Sequence, residues 1–300
     1  MSDAPELEFT GERFTPECVR EIWYEHWHRY VFARAFAHGK RVLDAACGEG
    51  YGSALLAGTA ASVVGIDIAE NAVAHARTRY ADRANLRFER GDCTALVAAD
   101  ASFDLIVSFE TLEHVAAQAA LIAGFARTLR SDGLLIVSSP DKRNYSDVSG
   151  FRNEFHVREL YRDELLALLT PHFPFVHLYG QKLLFQSAIW SIAGAPRSGV
   201  AATAVGDARE PQPGLGYEPL YFLAVCSRQP LPQDLPDLAL FGDREESVYA
   251  HYNGEVRKNM AAGARMAELE ALAAALRHEL DRATSPRQHW WQRLRGKTSR

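Results

Sequence analysis

From residue 41 to residue 140 the chain repeats one pattern: a short run of apolar residues, a polar turn, then a stretch with apolar positions three and four apart. Runs of the first kind predict strands at 41–46, 62–67, 86–90, 103–109 and 134–138. Stretches of the second kind predict helices at 50–57, 69–80 and 116–130. Strands such as Val63-Val64-Gly65-Ile66 and Leu134-Leu135-Ile136-Val137 are apolar without alternation. That pattern implies burial on both faces, hence a parallel sheet covered by helices, a doubly wound α/β fold. An amphipathic helix is expected at 17–38, with Trp23, Trp27, Val31 and Phe32 on one side. Beyond Ser139 the alternation gives way to a polar stretch, 140–158, a helix at 161–169 and a strand at 176–180. A loop rich in Gly, Pro and Ala follows at 195–219, and 220–226 reads as a last edge strand, antiparallel to the others.

The C-terminal part has a different pattern. An acidic, Pro-rich linker, 229–246, leads to a helical extension, 247–300, in which Met266, Leu269, Ala273, Leu276 and Leu280 follow the spacing of a coiled-coil seam. Glu270, Arg277 and Glu279 stand beside that seam.

Composition narrows the class. Three hundred residues, 47% of them hydrophobic, suffice for one large α/β domain with appendages. A net charge of -5 gives no global nucleic-acid signature. The tail departs from this, since Arg287, Arg293, Arg295, Lys297 and Arg300 surround Trp290 and Trp291 without an acidic residue. Such a tail suits a membrane surface, a protein partner or plain solvation. Cys18, Cys47, Cys93 and Cys226 show no metal or redox spacing, and the N-terminus lacks an apolar leader. The longest apolar run, 183–195, is too short to span a bilayer. A cytoplasmic protein is expected, with peripheral attachment at the inner membrane face as the role open to its tail.

The candidate chemistry begins at Val42-Leu-Asp-Ala-Ala-Cys-Gly-Glu-Gly-Tyr-Gly52, a strand ending in an acid, then a glycine-rich turn, then a helix. Gly48 and Gly50 let a ligand lie against the main chain, and the helix offers its positive N-terminus. Their spacing is not that of the dinucleotide fingerprint. Asp44 instead suits a cationic group such as the ammonium of an amino-acid moiety, which S-adenosylmethionine carries. Asp67 ends the second strand, where a carboxylate can accept from a ribose diol. Asp92 and Cys93 follow the third strand, placed to meet adenine. Ile68 and Phe109, at the ends of the second and fourth strands, complete the candidate cofactor set. Alone, each Asp reads more readily as a helix cap or turn former; jointly they favour the ligand reading.

Taken together, VLDAACGEGYG, VVGIDIAENAVAHAR, LRFERGDC, FDLIVSFETLEHV and LRSDGLLIVSSP resemble the successive motifs of the class I S-adenosylmethionine-dependent methyltransferases, over roughly residues 40–140. The resemblance implies a Rossmann-like, mostly parallel seven-stranded sheet over 40–228. It also implies S-adenosyl-L-methionine as cofactor, with Asp44, Gly48 and Gly50 by the methionine part, Asp67 by the ribose and Asp92 and Cys93 by the adenine. Ala46 departs from the family, many of whose members have glycine there.

A second constellation lies at Glu110-Thr-Leu-Glu113-His114, where positions three and four apart share a face if a helical turn begins there. With His156 of Asn153-Glu-Phe-His156 these residues offer two carboxylates and two imidazoles, a set suited to Mg²⁺ or Mn²⁺. Local bonding at a helix start, or one histidine acting as a general base without metal, accounts for the same residues. The segment resembles the metal-dependent methyltransferases of small-RNA 3′-terminal 2′-hydroxyls and of the ubiquinone pathway. Flanking segments, Thr10-Gly-Glu-Arg-Phe14, Glu25-His-Trp-His-Arg-Tyr30 and Phe155-His-Val-Arg-Glu-Leu160, resemble methyltransferases of bacterial polysaccharide and O-antigen assembly. Those resemblances imply O-methylation of a sugar hydroxyl or sugar phosphate, with the arm 1–39 as part of the site's cover; Arg13 and Phe14 read equally as a lid over the site or as part of a plain N-terminal arm. A catechol-like or RNA acceptor, or a non-catalytic scaffold of the same fold, remain the other readings.

Overall fold

The computed structural model describes residues 21–189, 192, 201–205 and 210–284. The segment 10–14, Cys18, the first turn expected at 17–20 and the Trp-containing tail lie outside those residues. In chain order the elements are α1 (Glu21–Arg34), β1 (Arg41–Ala45), α2 (Tyr51–Ala57), β2 (Ser62–Asp67), α3 (Glu70–Arg79), β3 (Leu86–Arg90), β4 (Phe103–Ser108), α4 (Gln118–Thr128), β5 (Leu129–Pro140), α5 (Arg162–Leu169), β6 (Phe175–Gln181), β7 (Ala202–Val205), β8 (Glu210–Pro213), β9 (Tyr221–Ser227) and α6 (Ser247–Thr284). Seven strands form one sheet in the order β3-β2-β1-β4-β5-β9-β6, and β7 pairs with β8 as a separate hairpin. The loop expected at 195–219 therefore carries a hairpin.

Strands β3, β2, β1, β4 and β5 run parallel, with Val42 opposite both Val63 and Leu105. The period of two then divides their side chains between two layers. Leu43, Ile106 and Leu135 face α4 and α5 with Phe125 and Leu165, while Val42, Leu105, Val107 and Ile136 face α1 and α2 with Phe32 and Leu56. Strand β5 starts earlier than its apolar run: Leu129 pairs with Phe103, and an irregularity precedes the pairing of Leu134 with Leu105.

The sequence expectation for the last strand is corrected in one respect. β9 is antiparallel, but it pairs with β5 on one side and β6 on the other, which makes β6 the edge. All seven residues of β9 are buried, whereas most of β6 is not. The unbroken run Tyr-Phe-Leu-Ala-Val-Cys is itself the signature of an inner strand.

The chain divides into two units, Met1–Phe241 and Gly242–Arg300. Described by itself, the second is dominated by α6, one continuous helix of 38 residues. No helix among the described residues is long and apolar enough to cross a membrane.

Candidate functional site

All the candidate site residues gather at the carboxyl ends of the parallel strands, where open α/β sheets bind ligands. After β1 the chain turns through Ala46, Gly48 and Gly50, with φ of 60°, 55° and 90°. At Gly50 a Cβ would lie 2.6 Å from the Phe88 ring, so the turn demands glycine on two counts. Gly52, one residue into α2, lets Tyr30 of α1 lie against the helix backbone, where a Cβ would fall 2.1 Å from the ring.

Asp67 braces the turn. Its Oδ2 accepts from the Gly48 N–H at 2.8 Å and its Oδ1 from the Ala69 N–H at 2.9 Å. Each oxygen keeps a lone pair, the capacity a ribose diol needs. Ile68 beside it is two-thirds exposed, an apolar side chain presented at the strand end. Asp92 directs Oδ1 to the backbone and hydroxyl of Thr94, at 2.8 and 2.7 Å. Cys93 is buried, which pushes its thiol up to about 12 and makes it a packing group. Phe109 is buried edge-on against Tyr30, with ring centroids 4.9 Å apart.

Asp44 is wholly buried. It accepts from the Tyr30 hydroxyl at 3.0 Å and the Ser53 hydroxyl at 2.6 Å, which ties α1 and α2 to β1. Burial pushes its carboxyl up to about 7.

The structure brings three of the four candidate metal ligands together. One ligand atom from each of Glu113, His114 and His156 lies within 4.8 Å of the others. Glu113 is fully buried on the turn after β4, and among the described residues neither carboxylate oxygen has a hydrogen-bond partner. Burial, reinforced by the charge of Glu110, holds its pKa well above the usual carboxylate range. Its backbone carbonyl accepts from the N–H groups of Val157 and Arg158, at 2.8 and 3.0 Å, which clips the 153–159 segment beside the turn. His114 directs Nδ1 to the Phe155 carbonyl at 3.0 Å, which places the proton on that nitrogen, and its Nε2 lies 3.8 Å from Glu113 Oε1. His156 directs Nδ1 to Glu159 at 2.6 Å and stacks on Tyr145. Histidines so oriented by a carbonyl or carboxylate are what metal centres use.

Glu110 stands apart from this group. With a positive φ of 48°, it accepts from the Ser138 hydroxyl at 2.7 Å and faces Arg29 Nη2 at 3.4 Å. The Arg29 guanidinium is almost fully buried, lies 4.5 Å from the centroid of the Tyr221 ring, and donates through Nε to Gln181 at 2.7 Å. Among the described residues its Nη1 and Nη2 have no hydrogen-bond partner. Glu25, one turn earlier on α1, is also buried, which pushes its carboxyl up to about 7. The sequence singles out the segment 25–30 that holds both residues but gives neither of them a role. The available signal was Glu25 and Arg29, four apart, inside a helix otherwise read for its aromatic face.

Comparison with known proteins follows the same region. Residues 43–137 match the family model described as a methyltransferase domain. The chain is 39% identical over 166 residues to a protein of Mycobacterium tuberculosis named as a probable S-adenosylmethionine-dependent methyltransferase, which covers 54% of this chain and 60% of that one. Residues 43–137 thus match a methyltransferase domain. A ubiquinone biosynthesis O-methyltransferase of Thiobacillus denitrificans is 35% identical over 113 residues, 37% of this chain and 49% of its own. The chain spans about 60% of the length of the mycobacterial relative and half that of the second. Among solved structures, the TehB-like methyltransferase of Corynebacterium glutamicum is similar at 18% identity and a TM-score of 0.45, covering 67% of this chain and 88% of that one.

Proposed function

We propose that the chain is an S-adenosylmethionine-dependent O-methyltransferase whose acceptor is a sugar hydroxyl, or a phosphate carried on a sugar, in surface-glycan assembly, and that a divalent cation holds the acceptor. The observation that carries the metal is Glu113, a buried carboxylate without a hydrogen bond, set against two oriented imidazoles. A carboxylate so placed is costly to ionise until a positive charge meets it. Glu113, His114 and His156 would hold Mg²⁺ or Mn²⁺, with Glu159 and the Phe155 carbonyl orienting the imidazoles. A cation bound there supplies Lewis acidity that lowers the pKa of an acceptor hydroxyl.

The chain's own groups do the rest. Asp67 and Gly48 fix the cofactor loop and offer the ribose its acceptor, Ile68 gives the adenine an apolar face, and the outer oxygen of Asp92 is left for the exocyclic amine. Arg29 is the buried cation available to an anionic group of the cofactor or acceptor. Transfer needs the acceptor oxygen in line with the methyl carbon and the sulfonium sulfur, so alignment is the protein's main contribution. The new O–CH₃ bond forms as the S–CH₃ bond breaks; the sulfur keeps the electron pair as the neutral thioether of S-adenosylhomocysteine, and the hydroxyl proton passes to solvent.

Chelation should abolish methyl transfer and leave cofactor binding, followed by calorimetry, intact; Mn²⁺ should restore it. Glu113→Gln should lose Mn²⁺ binding and transfer together. Full activity in chelator, with Glu113→Ala also active, would overturn the metal and leave His114 Nε2 as a general base. A second reading, a catechol-like acceptor, is favoured by the exposed Phe151, Phe155 and Val157 near the same cluster, and by the named role of the Thiobacillus relative. A mass-spectrometric screen of activated sugars, lipid-linked glycans and catechols for the gain of one CH₂ separates the two. Failure to bind S-adenosylmethionine at all would favour a scaffold role.

A further inference from the structure

The seam on α6 is exposed along its length. In a seven-residue frame with Asn259, Met266, Ala273 and Leu280 at position a, position d holds Ala262, Leu269 and Leu276. Met266, Leu269 and Leu276 are 63, 49 and 56% exposed, and Ala262 and Ala273 are exposed between them. The helix also carries Gly254 and Gly263 in its interior, which weaken it as an isolated element. A helix of this length and composition gains its stability by burying one face.

We propose that α6 forms a parallel, in-register, two-stranded coiled coil with α6 of a second copy of this chain. Three features select that occupant. Leucine at d suits two strands. Asn259 falls at an a position, where in a parallel pair it meets its own symmetry mate and each amide hydrogen-bonds the other; a displaced or antiparallel partner would leave it facing Met or Leu. The flanks are complementary under the same operation: Arg265 at g reaches Glu270 at e of the partner helix, and Leu272 at g covers the stem of the opposing Arg277. The charge balance argues against a lipid surface. The helix has Glu255, Glu268, Glu270, Glu279 and Asp281 against Arg257, Lys258, Arg265, Arg277 and Arg282. It therefore lacks the cationic excess that anionic lipid selects. This inference does not depend on the chemistry proposed for the first unit.

The test is the mass of the full chain in solution, measured by analytical ultracentrifugation across a concentration series. The dimer is expected, and the double variant Leu269→Lys/Leu276→Lys should be monomeric, with a weaker helical signal in far-ultraviolet circular dichroism as α6 loses its buried face, while S-adenosylmethionine binding and the cooperative unfolding of the sheet stay those of the parent. Leu276→Cys, oxidised under mild conditions, should yield a disulfide-linked dimer, since only a parallel in-register pair brings the two d positions face to face. Asn259→Leu should relax the register, giving species above the dimer. A monomeric parent, a dimer indifferent to the lysine pair, or flotation of the parent with anionic vesicles that the lysine pair abolishes would each overturn the proposal.

Discussion

Two residues around the cofactor turn sit in environments that ordinary side chains avoid, and each makes a measurable difference. Ala46 adopts φ of 60°, where many methyltransferases of this class have glycine and where a Cβ costs about 1 kcal/mol or more. Part of that cost returns on substitution because glycine frees the unfolded chain. Ala46→Gly should therefore stabilise by about 0.5 kcal/mol, raising Tm by about 1 °C, with the cofactor loop unchanged. Thermal unfolding of the two proteins checks this; destabilisation would mean that the methyl group packs more usefully than the strain it carries. Asp44 is the other case. Its carboxyl is pushed up to about 7 in the fold, against about 3.9 in an unfolded chain. The folded state thus keeps a proton that the unfolded state has lost, so this contribution is fully present below about pH 4 and is lost as pH rises through 7. Asp44→Asn has no such titration. Between pH 4 and 8 the stability of the parent relative to the variant should fall by a figure on the order of 4 kcal/mol, read from urea unfolding at each pH. Glu25 shifts the same way but is common to both proteins and cancels. A difference independent of pH would show that Asp44 ionises freely.

At the scale of elements, the cofactor turn is held from outside by α3. Glu49 lies between Gly48 and Gly50, is almost fully buried, and meets Arg79 at 3.0 Å, His75 at 3.3 Å and the Tyr80 hydroxyl at 3.2 Å. Arg79 is one-third exposed, so solvent screens its share. Glu49→Ala should cost about 2 kcal/mol and weaken S-adenosylmethionine binding, because the turn loses its outer brace and keeps the Asp67 bond to the Gly48 N–H. Unfolding and calorimetry on one variant test both halves; lost stability with unchanged affinity would confine Glu49 to folding. Elements of this kind were legible to different degrees. The strands from β1 to β5 announced themselves because both faces are buried and their residues are apolar without alternation. The place of β9 did not, since a strand's neighbours are set by how distant segments cross the sheet. The hairpin at β7 and β8 lay hidden in a stretch rich in Pro, Gly and Ala, whose local preferences favour a loop. Among the candidate residues, the nearness of Glu113 and His114 follows from their spacing, while that of His156 depends on how the 153–159 segment is clipped to the Glu113 carbonyl. The separation of Glu110 could not, because it depends on Arg29, which reaches it from another element.

The whole molecule divides its tasks between two units. All candidate residues, from Arg29 to His156, belong to the unit Met1–Phe241, and the seven-stranded sheet closes within it. The second unit contributes a helix whose exposed seam has no counterpart in the chemistry of the first. If catalysis and assembly are separable in this way, a chain ending at Phe241 should keep the cooperative unfolding of the sheet and bind S-adenosylmethionine as the full chain does, while sedimenting as a monomer. Linker residues Leu231, Leu235 and Ala239 pack on the α1 side of the sheet, which is why the cut belongs after Phe241 and not earlier. Phe241 itself lies 5.4 Å from Trp23 and stacks on His28 of α1. A chain cut at Gln229 should lose that cover and unfold at lower denaturant, since buried aromatic and aliphatic contacts each contribute on the order of 1 kcal/mol or more. Calorimetry and sedimentation on the two truncations distinguish the cases. Loss of cofactor binding in the chain ending at Phe241 would mean that α6 or its partner completes the cofactor site, and the division of labour drawn here would fail.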